Sequence, residues 1–177
     1  DNRLGLVKRS LELLVEQLRP EDTVSIVVYG SDARILLDPV SGSDKGAILS
    51  AIYSLHPEGA TNAEAGIRLG YKMAIHAFNR HGINRVILCS DGVANGGETG
   101  PDAILEEVRH FVEEGITLTT IGFGMDNYND VLMEQLADNG NGFYAYVDDM
   151  REARSLFIDN LTGTLQTIAL DAKVQVD

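Results

Sequence analysis

The sequence predicts an α/β fold in which a mostly parallel β-sheet carries helices on both faces. Three observations predict it. Short, β-branched and largely apolar runs recur at 23–29 and 86–89, the pattern of strands buried on both faces, and 116–123 reads as a third strand. Segments of helical periodicity separate them, long enough for crossover connections between parallel strands. The 177 residues, 44% hydrophobic and 23% charged, can bury one sizeable core, and at roughly 100–200 residues per domain they correspond to one domain.

Leu4, Val7, Leu11, Leu14, Val15 and Leu18 recur at helical spacing and predict an amphipathic helix over about 3–19, ended by Pro20. Thr23–Tyr29 follows as a strand, Gly30-Ser31-Asp32 as a turn, and Ala33-Arg34-Ile35-Leu36-Leu37 as an edge hairpin partner. Helices are expected over roughly 43–54 and 62–80, with the loop 56–60 between them. Val86-Ile87-Leu88-Cys89 is the second buried run, closed by Ser90-Asp91-Gly92. Pro101 opens a helix near 101–114, and Ile116–Phe123 is the third strand. A helix over 128–138, a turn at Asn139-Gly140-Asn141-Gly142, a strand at 143–147 and a helix at about 149–165 complete the domain, taken as 1–167. Residues 168–177 alternate apolar and polar and read as a strand-like tail, a possible start of a following region.

Fourteen Lys and Arg against 27 Asp and Glu give a net charge of −13. This argues against a nucleic-acid partner, which needs a basic stripe, and against an anionic membrane surface. No apolar run approaches the roughly 20 residues of a membrane span. The single cysteine, Cys89, excludes an intrachain disulfide and reads as a core thiol.

In open α/β sheets ligands bind beyond the carboxyl ends of the strands. Those ends carry Tyr29-Gly30-Ser31-Asp32, Ser90-Asp91-Gly92 and Gly122-Phe123-Gly124-Met125-Asp126, with Gly59-Ala60-Thr61-Asn62 on a neighbouring loop. Their donors are hydroxyls and carboxylates, hard oxygen ligands that suit Mg²⁺, Mn²⁺ or Ca²⁺. Thr61-Asn62-Ala63-Glu64 is also a capping box, with Thr61 as helix cap and Glu64 reaching back. Asp32 and Asp91 have the alternative of being ordinary turn residues. No Walker loop, dinucleotide loop or Gly-x-Ser-x-Gly elbow is present, and His56, His76, His81 and His110 lack metalloprotease spacing.

The sequence resembles a von Willebrand factor type A domain of the bacterial multi-domain branch along nearly its whole length. The resemblance is carried by Leu18–Val27, Gly59–Asn62, Val86–Gly92, Leu118–Gly124 and Met133–Gly142. It implies a Rossmann-like sheet of about six strands and a protein-binding, adhesion-type module rather than an enzyme. It implies a metal-ion-dependent adhesion site in which Thr61 and Asp91 are metal ligands and a partner protein donates a carboxylate to the ion. It also implies an Asp-x-Ser-x-Ser loop after a first strand, which the chain does not contain. We therefore expect strands 23–29 and 86–90 to lack a shared neighbour, and a piece of the native domain to lie upstream of Asp1. Relatives of this kind are often exported or surface-anchored.

Two other readings stand beside this one. A structural or assembly domain would bind protein without metal. A phosphoacceptor signalling domain would use Asp91, but it wants a lysine after a late strand, and none lies between Lys72 and Lys173.

Overall fold

Helix α1 (Asn2–Gln17) opens the computed structural model, which describes residues 2–57, 62–90, 100–124 and 131–161. Its Leu6, Val7, Leu13 and Val15 are buried, as the helical spacing requires. The buried Ser10 satisfies its hydroxyl by donating to the Leu6 carbonyl one turn earlier, at 2.8 Å. A tight corner follows. Asp22 accepts the Arg19 amide at 2.7 Å and its guanidinium at 2.9 Å, while the Asp22 carbonyl accepts the amide of Gly42.

β1 (Thr23–Tyr29) returns as β2 (Ala33–Ser41), antiparallel, from Thr23 opposite Ser41 to Tyr29 opposite Ala33. The hairpin partner is longer than the expected 33–37. Next come α2 (Lys45–Ser54), α3 (Ala63–His76) and β3 (Asn84–Ser90). After them lie α4 (Pro101–Glu113), β4 (Ile116–Phe123), α5 (Val131–Asn139), β5 (Tyr144–Val147) and the short α6 (Met150–Arg154). α6 runs on as a π-helical stretch over Ser155–Asn160, closed by the Leu161 amide donating to the Leu156 carbonyl. The expected helix 149–165 thus begins where predicted but changes its winding at Ser155; its last residues and the tail 168–177 lie outside the described residues.

β3, β4 and β5 form one parallel sheet in that order, with Asn84 opposite Ile116, Ser90 opposite Gly122 and Phe123 opposite Val147. β4 is its centre, and alternate side chains enter different layers. Ile116 and Leu118 join α3, α4 and α5 in one cluster; Ile121 and Phe123 join α1, α6 and the π-helical stretch in another. A third, smaller cluster joins Val15 of α1 to Ile48 and Ile52 of α2 over the hairpin. Thr120, fully buried, donates its hydroxyl to the Met133 carbonyl at 2.8 Å, which holds α5 to β4. Gly142 leaves no room for a side chain, because a Cβ there would collide with the Leu118 carbonyl.

The sheet is in two pieces. β1 pairs only with β2, β3 pairs only with β4, and no backbone hydrogen bond joins β1 to β3 among the described residues. The expectation that 23–29 is buried on both faces is therefore corrected. Every residue of β1 after Thr23 is half-buried, because one edge of the strand has no neighbour to shield it. β3 is likewise half-buried except at Leu88 and Ser90. Helix α3 spans both pieces at close range. A Cβ at Gly66 would lie 2.7 Å from Tyr29 Cγ, and one at Gly70 would lie 3.3 Å from Val86 Cγ1.

Two outcomes follow. Gly66→Ala forces the Tyr29 ring or α3 itself to move, and urea unfolding is expected to show a loss of about 1–3 kcal/mol, with Gly70→Ala costing distinctly less. At Asp22, burial pushes the carboxyl up, but the Arg19 hydrogen bonds and charge outweigh it and hold it below the usual range. A depressed carboxylate stabilises the fold above its unfolded value near 4, and that contribution is lost as pH falls through its folded value. Asp22→Asn is expected to lower the urea midpoint at pH 7, and the difference from the parent chain should shrink as pH falls below the usual carboxylate range near 4.

Candidate functional site

The carboxyl ends of β1, β3, β4 and β5 form a rim: Tyr29-Gly30, Ser90, Phe123-Gly124 and Val147-Asp148. Each arrives by a local device. Gly30 donates its amide to the Asp32 carbonyl at 2.8 Å, and the Asp32 carboxylate accepts the Ala33 amide at 2.8 Å. Asp32 is thus the turn residue that its sequence context suggests. Gly124 adopts φ +68°, a left-handed conformation natural to glycine, and donates to the Val147 carbonyl at 2.9 Å.

α3 starts at the same rim. The Asn62 amide donates to the Gly30 carbonyl at 2.8 Å, tying the helix start to the end of β1. The N-cap of α3 is Asn62, whose side-chain oxygen accepts the Ala65 amide at 3.1 Å. The expected cap position is therefore corrected. The cap lies one residue later than Thr61, at Asn62. Glu64 is buried and pairs with Arg68 one turn on, at 3.1 Å, while Arg68 also reaches Glu107 of α4 at 3.0 Å.

Thr61 and Asp91, the two residues singled out as metal ligands, lie outside the described residues, as do Met125 and Asp126. Their described neighbours sit at the rim: Asn62 on Gly30, and the buried Ser90 at the end of β3. Cys89, just before Ser90, accepts the Tyr29 hydroxyl at its carbonyl, at 2.9 Å. Its thiol packs against the cluster around Ile121 and Phe123, and burial pushes it up to about 12. That environment suits a core thiol, not a nucleophile.

The sequence reading did not single out Asp148, Asp149 and Glu152. Their carboxylate oxygens lie within 4.8 Å of one another, all exposed. Each acidic side chain with a described bond already serves the backbone. Asp149 caps α6 by accepting the Arg151 and Glu152 amides at 2.8 Å, and Glu152 accepts the Asp148 amide at 2.9 Å. The Glu152 amide bond is the chief reason that the Asp149 carboxyl is held below its usual range. The spacing Asp149-x-x-Glu152 is a capping-box signal that could have found this pair.

Comparison with known proteins gives a consistent picture. The model of the von Willebrand factor type A domain matches residues 1–159. An Escherichia coli (strain K12) protein, described as the uncharacterized protein YfbK, is 44% identical over 177 residues, all of this chain and 31% of that protein. The chain thus spans about a third of that relative's length. Among solved structures, a von Willebrand factor type A protein from Catenulispora acidiphila superposes with a TM-score of 0.71 at 18% identity, covering 87% of this chain and 36% of that one. Proximal thread matrix protein 1 from the mussel byssus, solved with a zinc-occupied MIDAS motif, gives 0.65 at 21% identity, covering 88% and 39%. At these identities the structural matches speak for the fold.

The thiol environment is directly measurable. Iodoacetamide at pH 8 should alkylate native Cys89 at least about 100-fold more slowly than in the urea-unfolded chain, followed by intact mass. Comparable rates would contradict the packed, protonated thiol.

Proposed function

Because the chain belongs to the von Willebrand factor type A domain family, we propose that it is a protein-interaction module that binds its partner at the rim where β1, β3 and α3 meet. In this reading Thr61 and Asp91 hold a divalent cation, Mg²⁺ or a close relative, and the partner contributes a carboxylate. A bound cation would supply an electrophilic contact for that carboxylate. The observation that carries the reading is the start of α3. Asn62 takes the cap and ties the start of α3 to the end of β1, which sets position 61 immediately before it in the sequence. The neighbours Asn62 and Ser90 meet the ends of the same two strands, which Tyr29 and Cys89 join.

The donor chemistry fits a hard cation: one hydroxyl and one carboxylate, with no sulfur or imidazole. Two oxygen groups alone hold such an ion weakly, since Mg²⁺ seeks six oxygens and keeps several as water. Binding rather than catalysis is also favoured by the side chains in view. The Cys89 thiol is pushed up to about 12, and the Asp149 and Glu152 carboxylates serve backbone amides.

The metal part is tested by titrating the chain with Mn²⁺ and following the free-ion signal by electron paramagnetic resonance. Weak binding is expected, reduced at least about 10-fold by Thr61→Ala and by Asp91→Ala, with far-ultraviolet circular dichroism unchanged. Binding that survives both substitutions, or no binding at millimolar Mn²⁺, would remove the cation from the reading and leave metal-independent docking.

A further inference from the structure

Two demands of the fold meet at the turn between α5 and β5. Asn141 stands at φ +51°, a left-handed conformation that asparagine tolerates better than most residues. Gly142 lies so close to the Leu118 carbonyl that a Cβ has no place there. Conformation and space thus put asparagine directly before glycine. The pair has a chemistry of its own, because a glycine amide nitrogen, with no side chain beside it, is the least hindered neighbour for the asparagine side-chain carbonyl.

A second such pair, Asn139-Gly140, stands two residues earlier, and the structure treats the two differently. Asn139 ends α5. Its side chain is held at both atoms: Nδ2 donates to the Gln135 carbonyl at 2.7 Å, and Oδ1 accepts Arg109 at 2.7 Å. The Gly140 amide donates to the Leu136 carbonyl at 2.8 Å. Asn141 is exposed, and its side chain makes no hydrogen bond among the described residues. The Gly142 amide donates to the Ala137 carbonyl at 3.0 Å, and loss of that one bond frees the nitrogen.

We propose that Asn141 is a site of spontaneous covalent modification, deamidating to aspartate and isoaspartate, while Asn139 is held unreactive. The Gly142 nitrogen attacks Asn141 Cγ and passes its proton through solvent to Asn141 Nδ2. The Cγ–Nδ2 bond breaks, ammonia leaves, and a succinimide ring closes. Water then opens the ring. Cleavage of the new bond from Gly142 N to Cγ leaves aspartate. Cleavage of the bond from Gly142 N to the Asn141 backbone carbonyl carbon leaves isoaspartate, whose chain runs through the former side chain. Nothing is oxidised or reduced, and water is the co-reactant.

The isoaspartyl product adds one methylene to the backbone between two anchored points. Before it, the Gly140 carbonyl accepts the Leu118 amide at 2.9 Å; after it, the Phe143 carbonyl accepts the Thr120 amide at 3.1 Å. Gly142 between them rests on the Leu118 carbonyl, and a Cβ there would also lie 3.0 Å from the buried Thr119 hydroxyl. The longer chain has no room, so β5 loses its register on β4. The aspartyl product keeps the native chain length and tolerates the same left-handed conformation. The proposal stands apart from the rim reading, since it needs neither a cation nor a partner.

The test incubates the chain at pH 8, folded and in urea, and resolves asparagine, aspartate and isoaspartate at each position by peptide mapping with electron-transfer fragmentation. Asn95-Gly96, outside the described residues, is read separately in the same map. In the folded chain Asn141 is expected to react at least about 10-fold faster than Asn139, and no more than about 10-fold slower than in urea. In urea the two rates should agree within about threefold. Arg109→Ala should raise the Asn139 rate at least about threefold and leave the Asn141 rate unchanged. Isoaspartyl chains, enriched by hydrophobic-interaction chromatography, should unfold at lower urea than Asn141→Asp, which has the same charge and a native backbone. Asn139 reacting as fast as Asn141 in the folded chain would overturn the proposal. So would an intact folded Asn141 once the urea sample is fully converted. Equal urea midpoints for the isoaspartyl chain and Asn141→Asp would overturn the displacement of β5.

Discussion

Two glycines one helical turn apart, Gly66 and Gly70, set how closely α3 lies on the strands, and much else depends on that closeness. Contact at this range brings the α3 N-terminus to Gly30 and lets Asn62 act as both cap and anchor. It also places Tyr71 in full burial, stacked on Phe111 of α4 at 4.1 Å between centroids. Burial, with the Glu107 charge beside it, drives the Tyr71 hydroxyl well above its usual range. The hydroxyl has no hydrogen-bond partner among the described residues. Such a group costs about 1–3 kcal/mol, so the ring packing that offsets it must be substantial. On the outer side, Arg68 between Glu64 and Glu107 ties the same helix to α4.

The rim acquires its chemistry by subtraction. Among the described residues, carboxylates near strand ends are committed: Asp32 to a turn, Asp149 to a helix cap, Glu152 to the amide of Asp148. These commitments explain why an acidic chain need not be a cation sponge. A net charge of −13 keeps the surface solvated, while backbone donors fix the orientation of individual acids.

Most elements were legible in the sequence because their periods are unambiguous. The α1 stripe, the β4 run and the Pro101 start all appear where the pattern places them. Burial was less legible. Thr23–Tyr29 has the composition of a central strand, but composition cannot report whether a neighbour is present, and among the described residues one edge is unpaired. The α3 cap failed for a different reason. Threonine and asparagine both cap well, and adjacent candidates differ only in backbone conformation, which spacing does not encode. The π-helical stretch was not legible either, since Leu156, Phe157 and Leu161 suit an ordinary helix equally well. For the candidate site, residue types pointed to oxygen chemistry, but its geometry depends on segments outside the described residues.

The split sheet bears on how the chain holds itself together. In a continuous sheet, ladder hydrogen bonds make every strand answer to its neighbours. Here the hairpin with α2 and the three-stranded parallel sheet are coupled through α1, α3 and the Tyr29–Cys89 bond. Side-chain packing alone transmits most of the cooperativity between them. Among the described residues, the seam without ladder hydrogen bonds lies between β1, β2 and α2 on one side and the parallel sheet on the other. A domain assembled this way behaves as two folding units sharing a pair of helices, and the strength of that sharing decides whether it unfolds in one step or two.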